Sequence, residues 1–351
     1  MSRNSISLIG DGIENPGNAL TMLHAAEMYG VTCQFRDTKG LAESNDLVEI
    51  TGRPLGVVTE DEVADSHSRL IAFDNLPDAK EVYGFRPGSE FGLVVGNERR
   101  GISHRLRSAA TDAVHVPMHS RRIDCLNVAA AAAVALHYLV RPKAGPMLHR
   151  RNASRRRPEL LLVGGANHIE LGSAIRSASA FGWNRALIED REEIWFGRDR
   201  VKRSEGRAAA RRGRNRIRLV PSSADANHGF SKVTVITAGG SGLPLHKSNL
   251  ARGSQQLVVI PDESRGTFDS EAWSRLGKEV EFVSLDTPVD QSIYHYRLTA
   301  TVAMAEIARQ VGSDMRRLPV HRTGSPAYDR DLKLSSDVPG DDVWLEDLLD
   351  Y

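Results

Sequence analysis

Three stretches of this chain occur twice, in the same order, and that repetition limits the folds open to it more than any other feature. NPGNALTMLHAAEMYGV (Asn15 to Val31) lies over NHIELGSAIRSASAFGW (Asn167 to Trp183) without a gap, setting Asn15 on Asn167, His24 on Arg176, Ala26 on Ala178 and Gly30 on Gly182. LVVGNERRG (Leu93 to Gly101) lies over LVVIPDESRG (Leu257 to Gly266) with one extra residue, and VPMHSRRIDCLNVAAAAAVAL over VSLDTPVDQSIYHYRLTATVAM. One match would be coincidence; three in order indicate a duplication. A chain of 351 residues also suits two domains of about 150 better than one. The expected layout is a lobe over 1–142, a basic linker over 143–158, a degenerate second lobe over 159–312 with a basic insertion at 197–218, and an acidic tail over 313–351. Two halves that fold alike can pack as an internal pseudo-dimer, so a monomer with the interface of a two-fold homodimer is expected.

Strand and helix signals alternate through both halves. ISLIG, TCQFRD, LGVVT, LIAFD, FGLVVG and VHVPM read as strands of the first, with ALTMLHAAEMYG and NVAAAAAVALHYLV as helices. In the second half LLLVGG, ALIED, VTVITAG, QQLVVIPDESRG and VEFVSL read as strands, and LGSAIRSASAFGW and SIYHYRLTATVAMAEIARQVG as helices. The expected fold is α/β: mainly parallel sheets flanked by helices, with ligand loops at the strand carboxyl ends. No apolar run nears the ~20 residues of a membrane span, and the opening residues lack the apolar core of a signal peptide. The two cysteines, Cys33 and Cys125, are far apart and form no metal-ligand cluster. Cytoplasm is the expected compartment, with no membrane partner.

A net charge of +1 conceals segregation. Arg198 to Arg218 carries ten Lys or Arg against one Asp and one Glu, HRRNASRRR spans His149 to Arg157, and the tail from Tyr328 carries eight acids against two bases. Two basic runs this close favour a polyanionic partner, because neutralised phosphates release counterions. Lys202, Arg203, Arg211 and Arg212 are candidate phosphate contacts in the longer run. The acidic tail reads equally well as an RNA mimic docking on that run or as a solubilising extension.

The paired stretches resemble the signature motifs of the SpoU (TrmH-like) class of SPOUT methyltransferases, strongly over most of residues 5–140 and more weakly over 159–311. The second motif of that class, a strand ending in Gly-x-Glu-x-x-Gly, reads here LVVGNERRGIS. The third, a strand ending in Pro-Met followed by Ser-Leu-Asn and an Ala-rich helix, reads VPMHSRRIDCLNVAAAAAVAL, with Cys125 in place of Ser. The resemblance implies lobes whose C-terminal part is tied in a trefoil knot, most securely in the first. It also implies S-adenosylmethionine as cofactor, tRNA or rRNA as partner, and methyl transfer to a ribose 2′-hydroxyl without a metal.

Carried over by position, Val95, Gly96, Asn97, Glu98, Gly101, Val116, Pro117, Met118, Cys125, Leu126 and Asn127 are the cofactor-binding candidates, and Arg99, Arg100, Arg121 and Arg122 lie on the same loops as candidate RNA contacts. Bare glycine loops let backbone N–H and C=O groups approach a ligand closely. The first motif of the class has an Asn and, six residues on, an Arg. Here the first half has Asn18 but His24, and the second has Arg176 but Glu170. The second half has also lost the glycine (Pro261) and the third-motif Asn (Tyr294). A fused pair can lose in each copy what the other supplies, so one composite site is expected, with Arg176, Asn18, His24 and Asn127 as catalytic candidates.

Arginine is effectively never deprotonated, which suits Arg176 to clamp phosphate and stabilise a developing alkoxide. His24, whose residue type has an ordinary pKa of ~6.5, is the alternative proton acceptor or else a packing residue. The other readings are a non-catalytic RNA-binding protein that keeps S-adenosylmethionine as a structural or sensing ligand, and methylation of a base.

Overall fold

The computed structural model describes residues 6–43, 45–52, 54–76, 78–119, 125–140, 157–164, 167–191, 193, 210–211, 215–222, 229–237, 242–250, 255–262, 279–285, 287 and 296–312. They fall into two compact units. One takes the described residues of Met1–Val116 and Ala131–Pro142, the other those of Pro117–Ala130 and Lys143–Leu318. Pro117–Ala130, which holds most of the third motif, thus groups with the second unit and not with the lobe over 1–142 expected from sequence.

The first unit is a six-stranded, all-parallel sheet of β1 (Ile6–Asp11), β2 (Thr32–Arg36), β3 (Leu70–Phe73), β4 (Lys80–Glu81), β5 (Phe91–Gly96) and β6 (Asp112–His115), in the order β2-β1-β5-β3-β6-β4. Central strands covered on both faces must be apolar throughout, and Leu8, Ile9, Ile71, Leu93 and Val94 are fully buried. On one face Ile9, Leu70, Ala72 and Val94 pack with Val63 of α3 (Glu60–Ser66) and Leu106 of α4 (His104–Ala109). Each such side chain contributes about 1.5–3 kcal/mol on burial. Helix α1 (Pro16–Met28) follows β1, a short α2 (Asn45–Thr51) follows β2, and α5 (Val128–Val140) carries the alanine run, buried from Ala129 to Leu136 except at Ala131.

The second unit repeats this order. Its strands are β7 (Glu159–Val163), β8 (Arg185–Glu189), β9 (Arg216–Leu219), β10 (Lys232–Thr237), β11 (Leu243–Pro244), β12 (Gln256–Pro261) and β13 (Glu279–Ser284), again all parallel. Their order, β11-β13-β10-β12-β7-β8-β9, is that of the first sheet read from its other edge, with β9 added outside β8. Leu161, Val163, Val233, Val235, Leu257 and Val259 build its core. Helices α6 (His168–Ala180) and α7 (Tyr296–Val311) stand where α1 and α5 stand in the first unit.

The likeness extends to atoms. Asn15 caps α1 by accepting from the Asn18 N–H, and Asn167 caps α6 by accepting from the Ile169 and Glu170 N–H groups. Both helices end on a glycine with positive φ, Gly30 (65°) and Gly182 (89°). There the next residue bonds back to the helix, Val31 to Ala26 and Trp183 to Ala178, both at 2.9 Å, the Schellman closure.

Some expectations on elements are corrected. LGVVT makes only an isolated bridge, Val57 to Phe35, because Pro54 and Gly56 interrupt it. Strand β9 emerges from the end of the basic run, and α2, α3 and α4 were not foreseen. Among the described residues no helix is long and apolar enough to cross a membrane, and no group of His, Cys, Asp and Glu is placed to hold a metal ion.

Candidate functional site

At the carboxyl end of β5 the chain turns through Gly96–Gly101. Asn97 organises the turn with every polar atom it has. Its backbone exchanges hydrogen bonds with Gly101 (3.1 and 2.9 Å), its Oδ1 accepts from the Arg99 and Arg100 N–H groups (2.8 and 2.9 Å), and its Nδ2 donates to the Gly12 carbonyl (2.6 Å). Gly96 has no alternative: a Cβ there would lie 2.2 Å from the Gly101 carbonyl carbon. Beneath the turn, buried Asp11 pairs with Arg36 and accepts from the Ser103 N–H (2.6 Å), fixing the start of α4. Glu98 points outward and accepts from Asn18 Nδ2 at 2.5 Å, so the first and second motifs of the first unit meet. Val95 and Val116 are buried apolar neighbours of these loops. Asp74, at the carboxyl end of β3, has its pKa raised by burial against the Asn75 N–H and the Arg107 charge.

In the third motif Pro117 and Met118 are half-buried, Cys125 is exposed and Leu126 is buried. Asn127 caps α5, its Oδ1 accepting from the Ala129 and Ala130 N–H groups (3.0 and 3.3 Å). An Asn directly ahead of the alanine run is itself a helix-capping signal. Arg121 and Arg122 lie outside the described residues. Arg176, on α6 of the second unit, reaches Cys125: Nε donates to its carbonyl (3.2 Å) and a terminal nitrogen to its Sγ (2.8 Å). His24 is half-buried on α1. Six residues along a helix is about 600° of rotation, so it points about 120° away from Asn18.

The second unit's counterpart of the Gly96 turn is different. Strand register sets Gly96 opposite Asp11 and Pro261 opposite Val163, so Pro261 does stand in the place of Gly96 and brings no N–H to it. Glu170, in the place of Asn18, is 2 % exposed. It accepts from the Arg297 N–H (2.9 Å) and pairs with the Arg297 Nε at 2.5 Å; that guanidinium is equally buried. Burial, then Asp262 and Glu170, push the neighbouring Tyr296 hydroxyl well above its ordinary pKa. Tyr294 lies outside the described residues. Sequence reading missed Arg297, one of three charged residues on this helix with Glu306 and Arg309.

Of the candidate RNA contacts, Arg100 pairs with Glu14, whereas Arg99 and Arg211 are exposed and form no ion pair among the described residues. Lys202, Arg203 and Arg212 lie outside the described residues, as does the acidic tail. On β9, Arg216 and Arg218 are exposed on one face while Ile217 and Leu219 turn inward.

A family model, the SpoU rRNA Methylase family, matches residues 5–137. Over those residues the chain is similar to that family. The match covers all six strands of the first unit and the third motif, and stops short of the second unit's sheet. No curated protein matches the chain. Among solved structures, the SpoU methyltransferase AviRb from Streptomyces viridochromogenes, in complex with AdoMet, is 23 % identical over 41 % of this chain and 59 % of its own, with a TM-score of 0.34. An AdoMet-bound rRNA methyltransferase from Sinorhizobium meliloti is 21 % identical over 40 % of this chain and 57 % of its own, at 0.35. The chain therefore spans less than two thirds of these solved relatives.

Proposed function

We propose that the protein is a cytoplasmic, S-adenosylmethionine-dependent RNA methyltransferase acting on a ribose 2′-hydroxyl of tRNA or rRNA, with one composite site per chain. The observation that carries this reading is the seating of Arg176 on Cys125. The arginine from the second copy of the first motif lies on the third motif that completes the SpoU-like stretch.

The first unit's loops suit such a cofactor. The Gly96–Gly101 turn has bare backbone at its start and is internally satisfied by Asn97, and Val95 and Val116 supply apolar walls. When bound, S-adenosylmethionine supplies a methyl group activated on its sulfonium. Arg176, permanently charged, holds the phosphate beside the target ribose and stabilises the oxygen as it loses its proton. Asn18, tied to Glu98, orients that ribose. Glu170 is committed to Arg297, so the second unit contributes its arginine and no second site. Arg99, Arg211, Arg216 and Arg218, exposed and without an ion pair among the described residues, are the phosphate contacts.

Labelled S-adenosylmethionine incubated with the full chain and total RNA, followed by nuclease digestion and mass spectrometry, tests this. The expected product is a 2′-O-methyl nucleoside. Label on a base would replace the ribose assignment, and cofactor binding without transfer to any RNA would leave an RNA-binding module.

A further inference from the structure

Helix α6 is gripped by the third-motif stretch at two points one turn apart. Arg176 meets Cys125, and four residues on, the Ala180 carbonyl accepts from the His119 N–H at 2.8 Å. Residues four apart share a helix face, and carbonyls of the last turn lack helical donors. Residues 119 and 125 of the stretch are thus both held on α6.

The contact at His119 is built from parts no motif requires. His119 Nδ1 lies 2.8 Å from a terminal nitrogen of Arg157. A guanidinium can only donate, so Nδ1 is the acceptor and the imidazole is neutral. Burial, then the Arg157 charge, hold the His119 pKa down at about 3. The ring meets Phe181 edge-on at 6.5 Å. Arg157 in turn lies over the Trp183 ring at 5.5 Å, and Trp183 Nε1 donates to the Pro158 carbonyl at 2.9 Å. Gly182 leaves the room: a Cβ there would stand 2.9 Å from the Arg157 guanidinium and 3.1 Å from His119 Cβ.

We propose that His119 and Arg157 are positioning residues, a clasp that fastens the third-motif stretch to the last turn of α6 and thereby keeps Cys125 on Arg176. Its catalytic consequence rests on the methyltransferase reading above; its existence does not. Removing the clasp lets Arg176 and the loop it serves drift apart, and a misplacement of about 1 Å costs ~100-fold in a reaction of this kind.

The test uses the full chain with His119→Ala, Arg157→Ala and His119→Asn, whose amide oxygen replaces Nδ1 as acceptor. Residue-resolved hydrogen exchange at the residue 119 amide, which survives each substitution, reads docking on Ala180. Methyl transfer at saturating cofactor and RNA reads positioning. The clasp predicts exchange about tenfold or more faster and kcat about tenfold or more lower in both alanine variants, melting midpoints within a few degrees of the parent chain, and recovery of both readouts in His119→Asn. Unchanged exchange in both alanine variants overturns the clasp, and accelerated exchange with unchanged kcat overturns its positioning role. If the parent chain transfers no methyl group to any RNA, the reaction reading falls, and exchange alone decides the clasp.

Discussion

Where the first unit turns after β5 it has Gly96, Asn18 and Glu98, open and polar; where the second turns after β12 it has Pro261, Glu170 and Arg297, closed and paired. The frames around these residues are the same. Asn15 and Asn167 cap equivalent helices, Gly30 and Gly182 end them, and the strand orders coincide. What separates the units is what fills the end of the sheet. Asn18 donates to an exposed carboxylate, whereas Glu170 has been drawn inside to neutralise a guanidinium. The residues that frame the sheet end and those that fill it thus vary separately in one chain, and the difference can be attacked from both sides.

The largest effect is expected at Glu170. Glu170→Ala removes the carboxylate paired with the buried charge of Arg297, which should cost about 3–5 kcal/mol in denaturant unfolding; Asn18→Ala, at a half-buried site, should cost only about 0.5–1 kcal/mol. Equal costs at the two positions would erase the distinction. Next is Arg176→Ala, expected to lower kcat by about 10²–10³-fold while calorimetric affinity for S-adenosylmethionine stays within a few-fold. If His24→Ala has that effect and Arg176→Ala does not, the arginine is not the acting group. Third is Gly96→Ala, whose added carbon must displace backbone at about 1–3 kcal/mol; it should take cofactor stoichiometry from one per chain to none, with Pro261→Gly leaving it at one.

The smallest effect is on pH. Between about 6.5 and about 3 the unfolded chain carries a proton on His119 that the folded chain refuses. Stability should therefore be level above pH ~6.5 and decline as pH falls below it, by at most about 1.4 kcal/mol per pH unit. His119→Asn should flatten that decline in acid unfolding curves.

The sheets were legible because strands buried on both faces leave short apolar runs: ISLIG, LVVG and LLLV all became strands, though LGVVT made only a bridge. Strands β4 and β11, each two residues long, and β9, arginine at alternate positions inside a charge run, offer no such signal. For the site, the Gly96 turn could be read because its geometry is local, down to the Asn97 bonds across four residues. The meeting of Arg176 with Cys125 joins residues 51 apart and that of Glu170 with Arg297 joins residues 127 apart; such pairings belong to the fold and not to any window of sequence. Asn127 caps a helix through its Oδ1, a role that its place ahead of the alanine run makes legible.

The sheet margins carry a consequence for the protein in bulk. An open margin is an invitation to a strand from another molecule. In the second unit one margin displays Arg216 and Arg218, and the other is a two-residue strand ending in Pro244, which has no hydrogen to offer. In the first, one is the short, charged Lys80–Glu81 pair, and the other is shielded where Phe35 exchanges backbone bonds with Gly56 and Val58. Crowded solutions of this protein should accordingly resist fibril growth through end-on strand recruitment, even though both interiors are rich in the valine and leucine that fibrils favour.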